Sequence, residues 1–471
     1  MSTIQKNFLS LLAFLLHCAC VALALLYIRR ESLLAADPAW SIDTWMPKDW
    51  LPPDWAVNTW LASALLMLAM PWFPLIAVIV HLGLFYALSR YSNEYGFMVY
   101  LGIFQWISLL AATGWLARQI RTGERLQPLR DPLFGCFALF VFWVGVCFAE
   151  GLQRGPLWDV CKGHHPLVWL DSLVLMAVTI QFIQLKRDFL VLFAAFTLAA
   201  LGHGSFFVSS NWRNNDAAAI YGIAIPLAVG FGRLATPWAL RCVAAIATVA
   251  LLRMTYQTEN RAAWLAVFAC IPMICMAMVP RRWMLLGIPL VLGAMLLLWM
   301  TPTGERFKEI FSEKGDNGRQ RIEIWDAAIQ MTKDNPWFGV GPGNFQNVIE
   351  TYDSQLARMF SHNSFLNVLA ETGVIGLLLY LSVFLIGAFQ LGKAIHRHRR
   401  EWREQATWFV AGGIVAFLVI SLFLTRHLMT IAYILLGCSS VLARTPSKSI
   451  PKDDASGESP NGISRVFHST P

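Results

Sequence analysis

The side chains that could do chemistry gather in one polar stretch, from about Gly318 to Gly376, of a chain that is otherwise mostly apolar. This stretch contains Arg319, Arg321 and His362. An arginine guanidinium group matches two phosphate oxygens at once, whereas a lysine ammonium group acts as a point charge. An imidazole titrates near neutral pH and can take a proton from a hydroxyl group. These residue types together suit a site that binds a phosphate compound and activates a hydroxyl group.

The first part of the stretch, RIEIWDAAIQMTK, has apolar residues at helical spacing. Ile322, Trp325 and Ile329 fall on one face, which predicts an amphipathic helix lying against a membrane surface. Pro336 is expected to end this helix. A tight turn should follow, with a backbone that could approach a ligand closely, because glycines recur at Gly339, Gly341 and Gly343.

A long apolar helix is predicted next, with Ser361 as its N-cap and with His362 and Asn363 in its first turn at the membrane boundary. Asn363 is expected to organise the start of the helix. Glu371 would lie more than two turns deeper, where a charge is costly unless it is paired. A structural ion pair, a protonated carboxyl group and a catalytic role are all open for Glu371. Gly373 predicts close helix packing.

The composition is that of a membrane protein. Of 471 residues, 56% are hydrophobic and 14% are charged, and the mean hydropathy is +0.52, which is too apolar for a soluble globular protein. The net charge of +8 comes from short clusters between apolar segments, a pattern that reports membrane orientation and not nucleic-acid binding. The nine cysteines have no metal-type spacing, so neither a zinc site nor a disulfide framework is expected. The predicted fold class is an all-α polytopic integral membrane protein.

Apolar segments long enough to cross a bilayer predict about 12–14 transmembrane helices. Pro71 and Pro74 leave open whether residues 57–90 form two spans, or one kinked helix and a surface segment. The expected organisation is N-terminal transmembrane helices over 1–301, a large periplasmic loop over 302–361, C-terminal transmembrane helices over 362–444 and a disordered cytoplasmic tail over 445–471.

Basic clusters between the spans predict the orientation. Counting spans places the clusters around Arg121, Lys186, Arg281 and Arg400 on one face, which the positive-inside rule makes cytoplasmic. Arginines on the opposite side run against that rule, so each needs an anionic partner, which a lipid diphosphate would supply. These outer arginines are Arg213, Arg261, Arg306, Arg319, Arg321 and Arg358. Arg261 opens a membrane helix in TENRAAWLA, where simple snorkelling to the interface is the alternative to ligand binding.

The motifs of the polar stretch occur in an order that resembles the O-antigen ligase and polymerase superfamily of bacterial envelope glycan assembly. An arginine, three residues and a tryptophan precede N-P-x-x-G-x-G-x-x-x-F and then H-N-x-x-L-x-x-x-x-E-x-G-x-x-G. The matching residues are Arg321, Trp325, Asn335, Pro336, Gly339, Gly341, Phe345, His362, Asn363, Leu366, Glu371, Gly373 and Gly376.

This resemblance implies a multi-pass glycosyltransferase of the bacterial inner membrane with its active site facing the periplasm. The donor would be a glycan linked through diphosphate to undecaprenol. The acceptor hydroxyl would belong to lipid A-core in an O-antigen ligase, to a growing glycan in a polymerase, or to a protein in an O-oligosaccharyltransferase. Because the diphosphate is the leaving group, no metal, nucleotide or other cofactor is expected. A lipid-linked glycan flippase is the alternative of another class, but its charges should line a path through the membrane.

The resemblance also implies roles for the site residues. Arg261 and Arg321 would bind the diphosphate, with Arg319 as an alternative for Arg321. His362 would orient or deprotonate the acceptor hydroxyl. The supporting residues would be Asn363, Glu371 and Gly341.

Overall fold

The structure is a computed structural model that describes residues 3–36, 61–82, 97–151, 167–207, 215–258, 260–279, 293, 300, 316–357, 359–398, 401–425 and 430–444. Within these ranges the regular elements are all helices, and there is no β-strand. The longer α-helices are α1 (Thr3–Ala36), α2 (Phe97–Thr122), α3 (Pro132–Gly151), α4 (Leu167–Phe182), α5 (Lys186–Phe207), α6 (Asn215–Leu234), α7 (Trp238–Gln257), α8 (Arg261–Met278), α9 (Asp316–Asp334), α10 (Ser364–Arg397), α11 (Trp402–Phe423) and α12 (Thr430–Ala443).

Six of the described helices are long and apolar enough to cross a membrane. These segments are Asn7–Leu26, Pro132–Gly151, Trp238–Gln257, Arg261–Met278, Ser364–Arg397 and Trp402–Phe423. Shorter apolar helices cover Val168–Phe182, Ala219–Leu234 and Thr430–Ala443. The predicted class, an all-α polytopic membrane protein, is confirmed. The span count and the domain boundaries concern the whole chain, including 301–315 and 445–471 outside the described residues, and stay predictions.

The two prolines near residue 70 break the chain into short pieces. A helix over 61–66 continues as a 3₁₀-helix at Met67–Ala69, then turns, and a second helix covers 75–82. Pro71 and Pro74 lie in the turn between the pieces. Proline has no N–H to donate and clashes with the preceding turn of a helix, so the chain bends here.

Small residues let the helices approach one another closely in the bundle. A Cβ atom placed on Gly412 of α11 would lie 3.0 Å from the Cβ of Pro226 in α6. One placed on Gly222 of α6 would lie 3.5 Å from the Cβ of Ala266 in α8. Close backbone contact of this kind is how membrane helices gain van der Waals packing without a hydrophobic driving force.

Three arginines from different helix ends meet at one end of the bundle. Arg444 donates to the Ile180 carbonyl oxygen at 3.1 Å and pairs with Asp131 at 3.2 Å. Arg397 donates to the Ala443 carbonyl oxygen at 2.8 Å, and Arg403 donates to that of Gln184 at 3.4 Å. These guanidinium groups satisfy carbonyl groups that helix ends leave without partners.

The opposite end of the bundle contains the first residues of α8 and α10 and the last residue of α3. Because α10 runs from Ser364 to Arg397, the polar stretch lies a full membrane helix away from the basic end. The cluster at Arg281 lies outside the described residues.

Candidate active site

Helix α10 is broken near its start, at Gly373. This glycine has φ 69°, a left-handed value inside an otherwise right-handed helix. A Cβ there would collide with the backbone of Trp337, and φ would be strained for any other residue. Close packing was expected at Gly373 and is found against the backbone of the turn that contains Trp337, and the left-handed φ requires glycine as well.

The turn after α9 fills this break. The N–H groups of Val340 and Gly341 donate to the carbonyl oxygens of Ala370 and Glu371 at 2.8 and 3.1 Å. The N–H of Val374 donates to the Pro336 carbonyl oxygen at 2.9 Å. The backbone groups that the break releases are thereby paired, as buried backbone must be in a membrane protein.

Trp143 of α3 completes this pairing, because its indole N–H donates to the Thr372 carbonyl oxygen at 3.0 Å. The turn is a tight one, as predicted: Gly339, Gly341 and Gly343 have φ values of 69°, 95° and 82°. The close approach they allow is to the protein's own backbone. A Cβ on Gly339 would meet the Ala370 carbonyl oxygen at 2.5 Å, and one on Gly341 would meet the Cα of Gly151 at 3.1 Å.

Glu371 is buried beneath this turn. Its carboxyl group accepts hydrogen bonds from the backbone N–H groups of Phe345, at 3.4 Å, and of Gly343. Among the described residues it takes part in no ion pair. These contacts give Glu371 a structural role as the acceptor for the glycine turn.

Helix α9 packs on a small core of its own. Ile324, Ala327 and Met331 are buried there against Phe345 and Ile349. The alanine and methionine face of the helix is the one that packs on the loop that follows. Ile322 is 59% exposed and Ile329 is 41% exposed, so both side chains lie outside this core, and their contact with a membrane surface stays a prediction. The helix does end before Pro336, as predicted.

The two arginines of α9 face different surroundings. Arg319 is 88% exposed and pairs with Glu323 one turn away at 3.4 Å. Arg321 is half-buried, and its electrostatic partners include Arg261 and His362. The structure therefore favours Arg321 over Arg319 as the inward-facing arginine of the site.

Two cations interact across the site, Arg321 on α9 and Arg261 at the start of α8. Burial, and then the charge of Arg261, lower the pKa of the Arg321 guanidinium group, although arginine stays protonated in proteins. Arg261 is the first residue of α8, and Asn260 caps that helix by accepting from the Ala263 N–H at 3.2 Å. None of the ion pairs between described residues involves Arg321. Like charges held together in a half-buried place are suited to binding an anion between them.

His362 lies beside this pair and is half-buried. Burial, and then the charge of Arg321, lower the pKa of its imidazole below the ordinary 6.5. The protonated form is disfavoured in both cases, by loss of solvent and by repulsion. Both effects favour the neutral imidazole, which has a nitrogen lone pair available to accept a proton.

The backbone at His362 is unusual. Its φ of 50° is the one left-handed value at a non-glycine residue in the described part of the chain. Helix α10 begins after it, at Ser364, and its N-cap is Asn363, whose side-chain oxygen accepts from the N–H groups of Phe365 and Leu366 at 2.9 and 3.1 Å. The expectation that Ser361 caps the helix was wrong, because the left-handed residue turns the chain and makes Asn363 the last residue before it.

Three of the predicted site residues lie close together: Arg261, Arg321 and His362. Arg319 points outward. The predicted supporting residues stabilise the backbone around the site, and these are Asn363, Glu371 and Gly341. Arg213, Arg306 and Arg358 lie outside the described residues. The sequence did not predict the contact of Trp143 with Thr372, or that of the Ser361 hydroxyl oxygen with the Thr425 hydroxyl oxygen. Trp325 belongs to the motif, but the motif does not show that its indole N–H donates to the Ser361 carbonyl oxygen.

Comparison with protein families bears on this arrangement. Residues 246–381 match the O-antigen ligase family. The matched range begins inside α7, ends inside α10 and includes Arg261, Arg321 and His362. The resemblance drawn from the motifs is thereby confirmed, and the match supports a membrane glycosyltransferase of the O-antigen ligase and polymerase family. A comparison with curated proteins finds no match.

Proposed function

We propose that this protein transfers a glycan from undecaprenyl diphosphate to an acceptor hydroxyl group on the periplasmic face of the bacterial inner membrane. The observation that carries the proposal is the meeting of Arg261, Arg321 and His362 at one end of the bundle, inside the region that matches the O-antigen ligase family. Each of the three has a separate part in such a transfer.

The arginines bind the diphosphate. A diphosphate between Arg261 and Arg321 relieves the repulsion between the two guanidinium groups, and each fork can hold two oxygens. As the glycosidic bond breaks, negative charge grows on the departing diphosphate oxygen. Cations already in place, and partly shielded from water, stabilise that charge without having to reorganise.

His362 accepts the proton. The acceptor oxygen attacks the anomeric carbon of the donor glycan, the bond from that carbon to the diphosphate oxygen breaks, and its electron pair leaves with the diphosphate. The proton of the acceptor hydroxyl goes to the imidazole of His362. Because the diphosphate is already an activated leaving group, the reaction as proposed uses no metal and no nucleotide.

Charge supports the proposed side of the membrane. The positive-inside rule predicts that the end of the bundle with Arg397, Arg403 and Arg444 is cytoplasmic, which would make the arginine and histidine site at the other end periplasmic. Membrane lipids surround the bundle, and the polyprenyl chain of the donor lies among them.

Lipid A-core is our first choice of acceptor, which makes the protein an O-antigen ligase. A growing glycan, as in an O-antigen or exopolysaccharide polymerase, is the second, and a protein acceptor is the third. A flippase fits less well, because in the part of the chain that the structure describes the charges proposed to act, on Arg261 and Arg321, lie at one end of the bundle and not along a path through it.

Deleting the gene and separating lipopolysaccharide and undecaprenyl-linked glycans by electrophoresis tests the proposal. Long glycans that accumulate on the carrier and are absent from lipid A-core indicate a ligase. Single repeats that accumulate on the carrier indicate a polymerase, and loss of glycans from proteins alone indicates a protein transferase. Unchanged carrier pools and unchanged products would contradict glycan transfer altogether.

A further inference from the structure

We propose that Trp325 and Ser361 are positioning residues that hold His362 in its left-handed backbone conformation and so direct its imidazole toward Arg321. The inference rests on the proposed function, because it concerns the residue that accepts the proton. It adds two residues that take no part in the reaction themselves but determine where the imidazole of His362 lies.

The left-handed backbone of His362 needs outside support. Residues with a Cβ atom adopt φ near 50° only when neighbouring contacts over-determine the conformation, and such residues cluster at functional sites. Without those contacts the chain would relax to an ordinary φ, and the imidazole would swing away from its present place.

Trp325 holds the chain on the side of α9. Its indole N–H donates to the Ser361 carbonyl oxygen at 3.0 Å, and that carbonyl belongs to the peptide bond that leads into His362. Arg321 is one helical turn before Trp325, so the two side chains lie on the same face of α9. One face of α9 therefore carries Arg321 and also, through Trp325, holds the backbone that leads into His362, the residue whose pKa Arg321 lowers.

Ser361 holds the chain on the other side. It is fully buried, and its hydroxyl oxygen lies 3.0 Å from the Thr425 hydroxyl oxygen just beyond α11 and 3.1 Å from the Asn367 side-chain oxygen in α10. The same oxygen lies 2.9 Å from the Asn363 carbonyl oxygen and accepts from the Asn363 N–H at 3.3 Å. The contacts with Asn363 span His362, so they close the turn around it.

The test measures kcat and the KM for lipid-linked donor in reconstituted membranes containing the full-length protein. Trp325→Phe keeps the aromatic ring and removes only the N–H donor. Ser361→Ala removes only the hydroxyl group. A displacement of about 1 Å can cost up to about 100-fold in rate, so we expect either change to lower kcat between about 10- and 100-fold while the donor KM stays within about twofold.

Two matched controls are available in the same chain. Trp115→Phe removes an indole N–H, and Ser421→Ala removes a hydroxyl group. Neither of these groups has a hydrogen-bond partner among the described residues. Both controls should keep wild-type kcat, with all four variants quantified in the membrane. Trp325→Phe and Ser361→Ala variants as active as these controls would overturn the inference, and so would a loss that lies in KM or in the amount of inserted protein.

Failure of the inference is distinguishable from failure of the proposed function. If Arg321→Lys and His362→Gly lower transfer by about 10²-fold or more while Trp325→Phe and Ser361→Ala do not affect it, the site stands and only the positioning role is lost. If His362→Gly itself keeps normal transfer, the assignment of the proton acceptor falls first.

Discussion

The chemistry proposed for His362 depends on its imidazole being neutral, which burial and the charge of Arg321 both favour by lowering its pKa. The same residue has a left-handed backbone, so a substitution there changes two things at once. Alanine removes the imidazole and also strains φ, whereas glycine and asparagine tolerate this conformation. Experiments on His362 must separate these two effects.

We therefore expect His362→Gly and His362→Asn to lower transfer by about 10² to 10⁴-fold with normal insertion into the membrane, because neither side chain can accept a proton at neutral pH. His362→Ala should be equally inactive and in addition less stable in detergent. Turnover with purified lipid-linked donor and a thermal unfolding curve check the two effects separately. Near-normal turnover in the asparagine variant would reduce His362 to a hydrogen-bonding role.

The pH profile reports the charge of Arg321. Because the pKa of His362 is lowered, wild-type activity should persist below pH 6.5 and fall only as the imidazole becomes protonated. Arg321→Gln removes a cation that disfavours protonation, so the pKa should rise and the acidic limb of kcat should move to higher pH. Arg321→Lys keeps the charge and should leave that limb in place, with Arg261 unchanged in both variants. If kcat fell at the same acidic pH in the Arg321→Gln and Arg321→Lys variants, an effect of the Arg321 charge on the pKa of His362 would be contradicted.

Bidentate binding of diphosphate predicts that charge alone is insufficient. Arg261→Lys and Arg321→Lys should each lower transfer by about 10²-fold or more, since a lysine cannot reproduce the paired hydrogen bonds. Arg319→Lys is the control, because Arg319 faces solvent and pairs with Glu323 on the surface. The measurement is the rate of glycan transfer with equal amounts of inserted protein. Small and equal effects at all three positions would contradict bidentate binding of the diphosphate by Arg261 and Arg321.

At the scale of the element, the break in α10 is the feature that receives the glycine turn. The glycine turn enters the break, Glu371 accepts from the turn, and Trp143 pairs the remaining carbonyl group. The first turns of α10 can therefore face the site in a direction that an unbroken helix would not permit. Discontinuous helices of this kind are tolerated in membranes only where protein satisfies the released backbone groups.

Gly373→Ala tests this element. Its Cβ would meet the Trp337 backbone and its φ would be strained, so we expect a loss of stability of about 1–3 kcal/mol, seen as a lower unfolding temperature in detergent. Gly392→Ala on the same helix is the matched control, since its Cβ would meet nothing within 4 Å. An equal unfolding temperature for the two variants would mean that the break is not needed.

At the scale of the whole molecule, the contacts of Arg397, Arg403 and Arg444 gather basic residues at one end, and the site lies at the other. Asp131 joins three helices at the basic end: it caps α3 through the N–H of Leu133 at 3.0 Å, accepts from the Ser440 hydroxyl of α12, and lies 3.5 Å from the side-chain nitrogen of Gln390 in α10. This network ties together α3, α10 and α12 at the basic end, and α3 and α10 also contact the glycine turn at the other end.

The charge asymmetry predicts that the loop before α10 is periplasmic and the tail after Arg444 is cytoplasmic. A membrane-impermeant thiol reagent should label Gln346→Cys, and not Ser456→Cys, in intact spheroplasts of a background without accessible native cysteines. Permeabilised cells provide the control in which both are labelled. Labelling of Ser456→Cys and not of Gln346→Cys would show that the topology is the reverse of the predicted one, and would contradict a reaction on the periplasmic face.

The sequence by itself determined the class of the protein and the main chemical groups. Apolar segments of membrane-spanning length cannot satisfy their backbone in lipid except as helices, so composition was enough for the fold class. The spacing of Arg321, Trp325, His362 and Glu371 was enough to indicate the family, and the charged clusters were enough to place basic residues together. Each of these inferences depends on local pattern, which the chain carries without being folded.

Only the tertiary structure decided which groups meet. The inward arginine is Arg321 and not Arg319 because the alanine and methionine face of α9 packs on the loop that follows it. Arg261 approaches Arg321 because α8 begins at the same end of the bundle, and Ser361, which precedes the left-handed turn at His362, contacts Trp325 and Thr425. These contacts join positions far apart in the chain, and their energies depend on packing that no local pattern of residue types specifies.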